Sequence, residues 1–452
     1  MDRETYIYRL AEYFANCGTE DFDRDTRHQV SRCLMDYLGC AAFSGAHHCC
    51  REWVSLITSL EFGQGKAKIW GLEERFSPMC AAFANAVRVS SIEMDDCSGI
   101  GASVHPGVYV MSTALAVAGE STEEETFVRA VICGYDVCMR MGLLATEQVR
   151  ELGLHGPGLA GGMAAAATAG ILMGLRAEEL YQAMCITASL LPLCPFTTFM
   201  EGADAKDLYG GWGVLLGIFS AEAAERGLTG PVHVLEGAKS LSWLFAGTKG
   251  ISLRPGEHFY INDVSFKQFS ACHSVHPAIT AIQELLGRFP VEPHRVRQVT
   301  VSTYPYSYAL NEGVREPLNA SSARLSLAFT TAVALIEGDL RPDAFLPEGL
   351  TDERYLAMSR KIAVTKNEDY KDGPFGVRGT KIRVEMEDGT VYEDEVTANR
   401  WDQAPSDEAL AEKFLSLAKD SVGRGKAESL KELILGRPYL EVKEILEAVS
   451  VL

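Results

Sequence analysis

No stretch of this chain is apolar for long enough to cross a membrane. The most hydrophobic run, residues 163–175, falls short of the roughly 20 residues that a spanning helix needs, and Gly170 and Gly174 interrupt it. Residues 1–14 lack the continuous apolar segment of a secretory signal. Their charges at Asp2, Arg3, Glu4, Arg9 and Glu12 read instead as an amphipathic helix, so a cytoplasmic protein with no membrane partner is expected. Basic residues are also in deficit, with 42 Lys and Arg against 61 Asp and Glu and a formal net charge of −19. That balance argues against a nucleic-acid partner, which needs a basic patch. It leaves room for an anionic small substrate, because a few cations dominate the field inside a cleft.

Several motifs are missing as well. The 12 cysteines contain no C-x-x-C pair. Cys33, Cys40, Cys133, Cys138 and Cys185 sit inside apolar segments and read as reduced, buried thiols. His47-His48-Cys49-Cys50 bunches metal-ligand residue types, but adjacent residues do not easily converge on one ion. No H-E-x-x-H accompanies it, and no metal site is read there. There is no phosphate-binding P-loop, no G-x-S-x-G elbow and no EF-hand loop. A formal G-x-G-x-x-G at 156–161 has no strand before it and contains Pro157, so it reads as a tightly packed loop from which His155 projects.

What is present begins with helices. Residues 27–43, 78–90, 106–118, 123–144, 160–173, 177–189 and 210–226 have helical periodicity, and Ser77 before Pro78 is a good helix start. Near residue 260 the pattern changes. Residues 297–304 and 361–366 read as strands, 380–396 as a hairpin turning at Asp388-Gly389, and 277–289 as a helix. Helical patterns return at 408–418, 427–435 and 439–449. The expected fold is mainly α. Residues 1–260 and 401–452 form one large all-helical domain, and 261–400 form an inserted α+β lid domain.

Two segments are dense in chemistry. Glu93-Met94-Asp95-Asp96-Cys97 precedes His105-Pro106, with residues 99–101 reading as a bent loop between them. Residues 267–276 offer Lys267, Cys272, His273 and His276 before Pro277. Proline at a first helical position places His105 and His276 at helix starts, whose unpaired N–H groups suit a carboxylate. Either histidine can equally be an ordinary capping residue. Lys206 lies in a polar, glycine-rich approach to another helix, where Asp204 or Asp207 can simply pair with it.

Taken in order, these segments resemble the MmgE/PrpD family, which includes 2-methylcitrate dehydratase, cis-aconitate decarboxylase and iminodisuccinate epimerase. The resemblance spans nearly the whole chain. It rests on Asp36-Tyr37-Leu38-Gly39, the acidic segment with His105-Pro106, Gly134-Tyr135-Asp136-Val137, His155 with its alanine-rich helix, Lys206 with the later Gly230-Pro231, residues 267–276, and Arg324-Leu325-Ser326-Leu327-Ala328-Phe329. It implies a homodimer with a cleft site that uses neither metal nor organic cofactor. It also implies a lyase, a dehydratase or decarboxylase acting by proton transfer next to a carboxylate of a small di- or tricarboxylic acid. An epimerase and a non-catalytic member are the alternatives. The implied catalytic residues are His105, His155, Asp96 and His273. The implied substrate-binding residues are Lys206, Lys267, Glu93, Asp95, Cys97, Cys272 and Arg324. Departures from the family pattern fall at the site: Glu93 for Asp, Cys97 for Thr, Ser90 for a frequent His, Phe329 for Tyr, and two extra residues before His105.

Overall fold

Small side chains dominate the first half of the chain, and the computed structural model shows what they permit, which is helices packed at close range. The structure describes residues 3–60, 63–98, 104–144, 149, 151–236, 239–241, 254–311, 314, 317–370, 378–397, 405–450 and 452. The expected loop at 99–101 lies outside the described residues. Helices Arg24–Ala46, Pro78–Ser91, Pro106–Val117, Glu124–Leu144, Gly156–Leu172, Ala177–Ser189 and Leu208–Glu225 follow one another. Gly156–Leu172 is buried almost throughout and packs on Pro106–Val117, Glu124–Leu144, Ala177–Ser189 and Leu208–Glu225. A β-carbon at Gly161 would fall 2.1 Å from the Tyr109 ring, so this crossing requires glycine. The reading of 156–161 as a loop is corrected here. Pro157 sits in the first helical turn behind His155, where its missing N–H costs nothing.

Short strands pair across the chain. β1 (Ala67–Lys68) lies antiparallel to β2 (Arg75–Phe76), and β3 (Asp96–Cys97) lies antiparallel to β4 (Ser265–Phe266). A four-stranded sheet follows, formed by β5 (Val296–Thr303), β6 (Ile362–Lys366), β7 (Thr380–Met386) and β8 (Val391–Val396) in the order β6-β5-β7-β8. Only β5 and β6 are parallel. Val299, Val301, Ile382 and Val384 bury one face of the sheet with residues of helices His276–Arg288 and Leu327–Glu337.

Among the described residues the chain builds two large hydrophobic cores, apart from a small cluster of Val149 and Leu159. The larger draws on residues 6–266 and again on 410–452, and the smaller on residues 269–396. The C-terminal part returns to the first core as Asp407–Leu435, which packs along Arg24–Ala46, and as Val442–Val449. Asp407–Leu435 is two helical stretches that meet at a kink where Gly423 leaves helical geometry, with φ 74° and ψ 156°, inside the gap between the helices expected at 408–418 and 427–435. Among the described residues no helix is long and apolar enough to cross a membrane.

Candidate active site

The two-residue pairing of β3 with β4 sets Asp96 opposite Phe266 and Cys97 opposite Ser265, which brings the acidic segment beside Lys267. Glu93, just before it, has φ 51°, a conformation that costs a non-glycine residue about 1–3 kcal/mol and recurs at functional sites. The Glu93 carboxylate bridges two lysines. One oxygen meets Lys206 Nζ, and the other accepts from Lys267 Nζ at 2.7 Å. Lys267 Nζ also lies 3.7 Å from Asp95. Burial opposes charge on Glu93, but Lys206 and Lys267 outweigh it and hold the carboxyl well below its usual range. Burial likewise disfavours the Lys267 ammonium, and Glu93 with Asp95 overcomes this and raises its pKa.

His105 caps the helix Pro106–Val117 by position and is tied to the same segment. Its Nδ1 lies 3.0 Å from Asp95 Oδ2 and 3.0 Å from the Asp96 carbonyl oxygen. Two acceptors face Nδ1, so Nδ1 carries the hydrogen, and in the neutral ring Nε2 keeps its lone pair. Burial acts to raise the Asp95 pKa, but Lys267 and His105 prevail and lower it. Asp96 behaves in the opposite way. It accepts from Gly107 N at 2.8 Å and from the Tyr135 hydroxyl at 2.5 Å. Burial and then the charge of Asp36 push its pKa up to about 8.

Glu93, Asp95, His105, His155 and Lys206 line a cavity of about 380 Å³, and Cys272, His273, Tyr304, Tyr306 and Arg378 line it from the smaller unit. The site therefore lies between the two cores. His155 stands among Phe196, Phe199 and Tyr209, with ring centroids 5.3–6.0 Å away, and its buried Nδ1 has no partner among the described residues. Burial, then Lys206 and His105, depress its pKa to about 3, so the ring is neutral near pH 7. His273 is depressed well below the ordinary histidine value by burial and then by His276 and Arg378. Its Nδ1 is 3.4 Å from Arg378 Nη1. The Cys272 thiol pKa is raised by burial and by Glu93, and its Sγ lies 3.0 Å from Ser274 Oγ, so this group is a thiol and not an activated thiolate.

Four residues expected at the site do not line the cavity. Lys267 lies behind Glu93 and Asp95 with its side chain fully buried. Asp96 is turned onto Gly107 and Tyr135, as described. Cys97 Sγ is 3.7 Å from Ser265 Oγ in the β3–β4 pairing. The Arg324 guanidinium lies 4.5 Å over the Phe345 ring, while its carbonyl accepts from Cys272 N at 3.1 Å. The physical reason is common to all four: each side chain is directed into packing or a buried polar contact, and the backbone or a neighbouring residue forms the wall. Phe329 is fully buried in the smaller core beside Phe345 and Tyr355, so the aromatic hydroxyls in the wall come from other residues, Tyr304 and Tyr306 among them.

Lys413, on the C-terminal helix, carried no sequence signal, yet it holds the site together. Its Nζ donates to Asp36 Oδ1 at 2.5 Å, to the Met94 carbonyl at 2.6 Å and to the Lys267 carbonyl at 2.8 Å. One ammonium thus ties the backbone between Glu93 and Asp95 to that of Lys267. Burial disfavours its charge, but Asp36 prevails and its pKa is raised. Among the described residues, the metal-ligand atoms that converge belong to His47, Asp343 and Asp420, within 4.8 Å of one another and outside this cavity.

Comparison with known proteins gives this arrangement a family. Residues 8–254 match the MmgE/PrpD N-terminal domain and residues 269–436 match the MmgE/PrpD C-terminal domain. The chain belongs to the MmgE/PrpD family. Similar proteins that match over most of their length include cis-aconitate decarboxylase of Aspergillus terreus, 21% identical over 98% of this chain and 95% of that protein. A cis-aconitate decarboxylase-like protein, oryM, of Aspergillus oryzae is 22% identical over 98% of this chain and 96% of its own length. Cis-aconitate decarboxylase of Homo sapiens is 24% identical over 91% of this chain and 87% of its own length. The boundary between the two matched domains falls between residues 254 and 269, where the chain passes from the larger core to the smaller.

Proposed function

We propose that this MmgE/PrpD family member is a lyase that acts on a small carboxylic acid by moving a proton at the carbon next to a carboxylate. The observation that carries the reading is the Asp95–His105 pair in the wall of a cavity lined also by Lys206, with a second buried lysine, Lys267, behind Glu93. Asp95 fixes the ring so that Nε2 is the exchanging atom, and the lysines supply the positive field that stabilises enediolate-like charge on the substrate. In decarboxylation the bond from the carbon to its carboxylate breaks and carbon dioxide leaves. The electron pair stays on the carbon, and His105, entering this step with a proton on Nε2 as well as on Nδ1, delivers the Nε2 proton to it and is left as the neutral ring. In dehydration His105 takes the proton from the carbon while a second group protonates the departing hydroxyl. His155, neutral near pH 7, serves the substrate as a hydrogen-bonding group and not as an imidazolium donor. The similarity to proteins named cis-aconitate decarboxylase favours decarboxylation over epimerisation.

A homodimer belongs to the same proposal. Trp212 and Phe219, two turns apart on Leu208–Glu225, are 52% and 54% exposed and offer an apolar face to a second copy. The function is tested by incubating the enzyme with unsaturated and hydroxylated acids that carry one to three carboxylates, followed by proton NMR. Loss of a carboxylate or of a hydroxyl from at least one acid is the expected result. No conversion of any acid would contradict the lyase reading.

A further inference from the structure

We infer that His47, Asp343 and Asp420 form a binding site for one divalent transition-metal ion, outside the catalytic cavity, where the ion latches the smaller unit to the larger.

The three residues come from segments far apart in the chain. His47 caps the C-terminal end of Arg24–Ala46, Asp343 lies in the turn Pro342–Phe345, and Asp420 lies on Asp407–Leu435 just before its kink. Their ligand atoms nevertheless lie within 4.8 Å of one another. Ligands held about 2.0–2.2 Å from a common ion stand at most about 4.4 Å apart, so small side-chain movements close the set. The neighbours of His47 along the chain, His48, Cys49 and Cys50, do not belong to it.

A histidine among carboxylates is most simply an ion pair, and the geometry here is different. Among the described residues no hydrogen bond or ion pair joins the three, although they converge. The His47 ring is held by packing on Phe43, with centroids 4.3 Å apart, and its buried Nε2 has no partner among the described residues. Asp343 Oδ2 lies 3.5 Å from Arg341 Nε, and Asp420 has no ion-pair partner among the described residues. One guanidinium therefore faces two carboxylates. Two like charges that share a site are unfavourable, and a bound divalent cation reverses that balance. One imidazole and two exposed carboxylates make a mixed nitrogen and oxygen set. Such a set suits Mn²⁺, Co²⁺ or Zn²⁺ with water in the remaining positions, and it suits Mg²⁺ less, which takes oxygen ligands.

The position gives the ion its effect. Asp343 adjoins Ala344 and Phe345, which are buried in the smaller core. Asp420 follows Lys413 by about two turns on one helix, and the helix that His47 caps carries Asp36, the partner of Lys413. Arg341 Nη2 donates to the Ser416 carbonyl at 3.3 Å across the same seam. The ion thus joins the smaller unit to the two helices that hold the acidic segment of the active site.

Mn²⁺ tests the site on the full chain after chelator treatment and under reducing conditions. It prefers oxygen ligands to thiolates, so the 12 cysteines compete little. Free ion is read by electron paramagnetic resonance and the melting temperature by calorimetry. One Mn²⁺ per chain is expected, with Mg²⁺ at least about tenfold weaker. Saturation should raise the melting temperature by about 2 °C or more. His47→Gln and Asp420→Asn should each weaken Mn²⁺ binding at least about tenfold and abolish the rise. Asp420 is exposed, so its variant serves if His47→Gln does not fold. No saturable binding, wild-type affinity in a folded Asp420→Asn chain, Mg²⁺ bound as tightly as Mn²⁺, or binding without a rise in melting temperature would overturn the inference.

Discussion

Asp95 and Asp96 are neighbours with opposite fates, and the difference is one of direction. In an extended segment successive side chains point to opposite faces. Asp95 therefore meets His105 and Lys267, while Asp96 turns toward Gly107 and Tyr135. A β-carbon on Gly107 would fall 2.8 Å from both Asp96 carboxylate oxygens, so that glycine is part of the same arrangement. The folded pKa of Asp96 is about 8, above the ordinary value of about 4 for an unfolded aspartate. Between those values the unfolded chain has released the proton and the folded chain has kept it, so this group's contribution to stability falls as pH rises from about 4 to 8. Asp96→Asn keeps an acceptor for Gly107 and a partner for Tyr135 without titrating. The melting temperature of Asp96→Asn should therefore fall less than that of the wild type between pH 5 and pH 8.5. Parallel melting curves across that range would show that Asp96 is ionised in the folded protein. The chemical density of residues 93–105 was legible in the sequence. Which acid faces the cavity was not, because that depends on a strand two residues long.

At the scale of elements, helices with strong periodicity were legible and contacts between distant short segments were not. Residues 177–189 match the helix Ala177–Ser189, and the hairpin expected at Asp388-Gly389 is formed by β7 and β8. Other helices were harder to read. Glycines that resemble a loop hid the helix start at His155, and the short helices Pro305–Asn311 and Glu353–Ser359 are too brief to show a period. The β3–β4 pairing joins Asp96 to Phe266 across the sequence and has no local signature. Lys413 is the clearest case of such invisibility, since one lysine on an amphipathic helix reads as a solvated charge. Lys413→Met would leave Asp36 buried without its cation and two carbonyls without a donor. Loss of one partner from a buried pair typically costs about 3–5 kcal/mol. Denaturant unfolding should show a loss of that order, and turnover should fall with it because Glu93, Asp95 and Lys267 lose their common tether. A variant as stable and as active as the wild type would remove Lys413 from the account.

For the whole molecule, the decisive feature is that the cavity has walls from both cores. The larger core, made from the two ends of the chain, supplies His105, His155 and Lys206, and the smaller supplies Cys272, His273 and Arg378. The mainly helical fold and the family could be read from the order of the motifs along the chain. The compensation of both lysines by Glu93 could not, because it joins three residues from distant segments at one point. The central claim is that His105 moves a proton to or from carbon, and deuterium labelling tests it most directly. A converted acid is incubated with the wild type and with His105→Gln in D2O, and the product is examined by NMR. The account predicts one deuteron on the carbon next to the carboxylate in the wild-type decarboxylation product. It also predicts a rate at least about a hundredfold lower in the variant. Product without deuterium, or a His105→Gln enzyme that works at the wild-type rate, would contradict it.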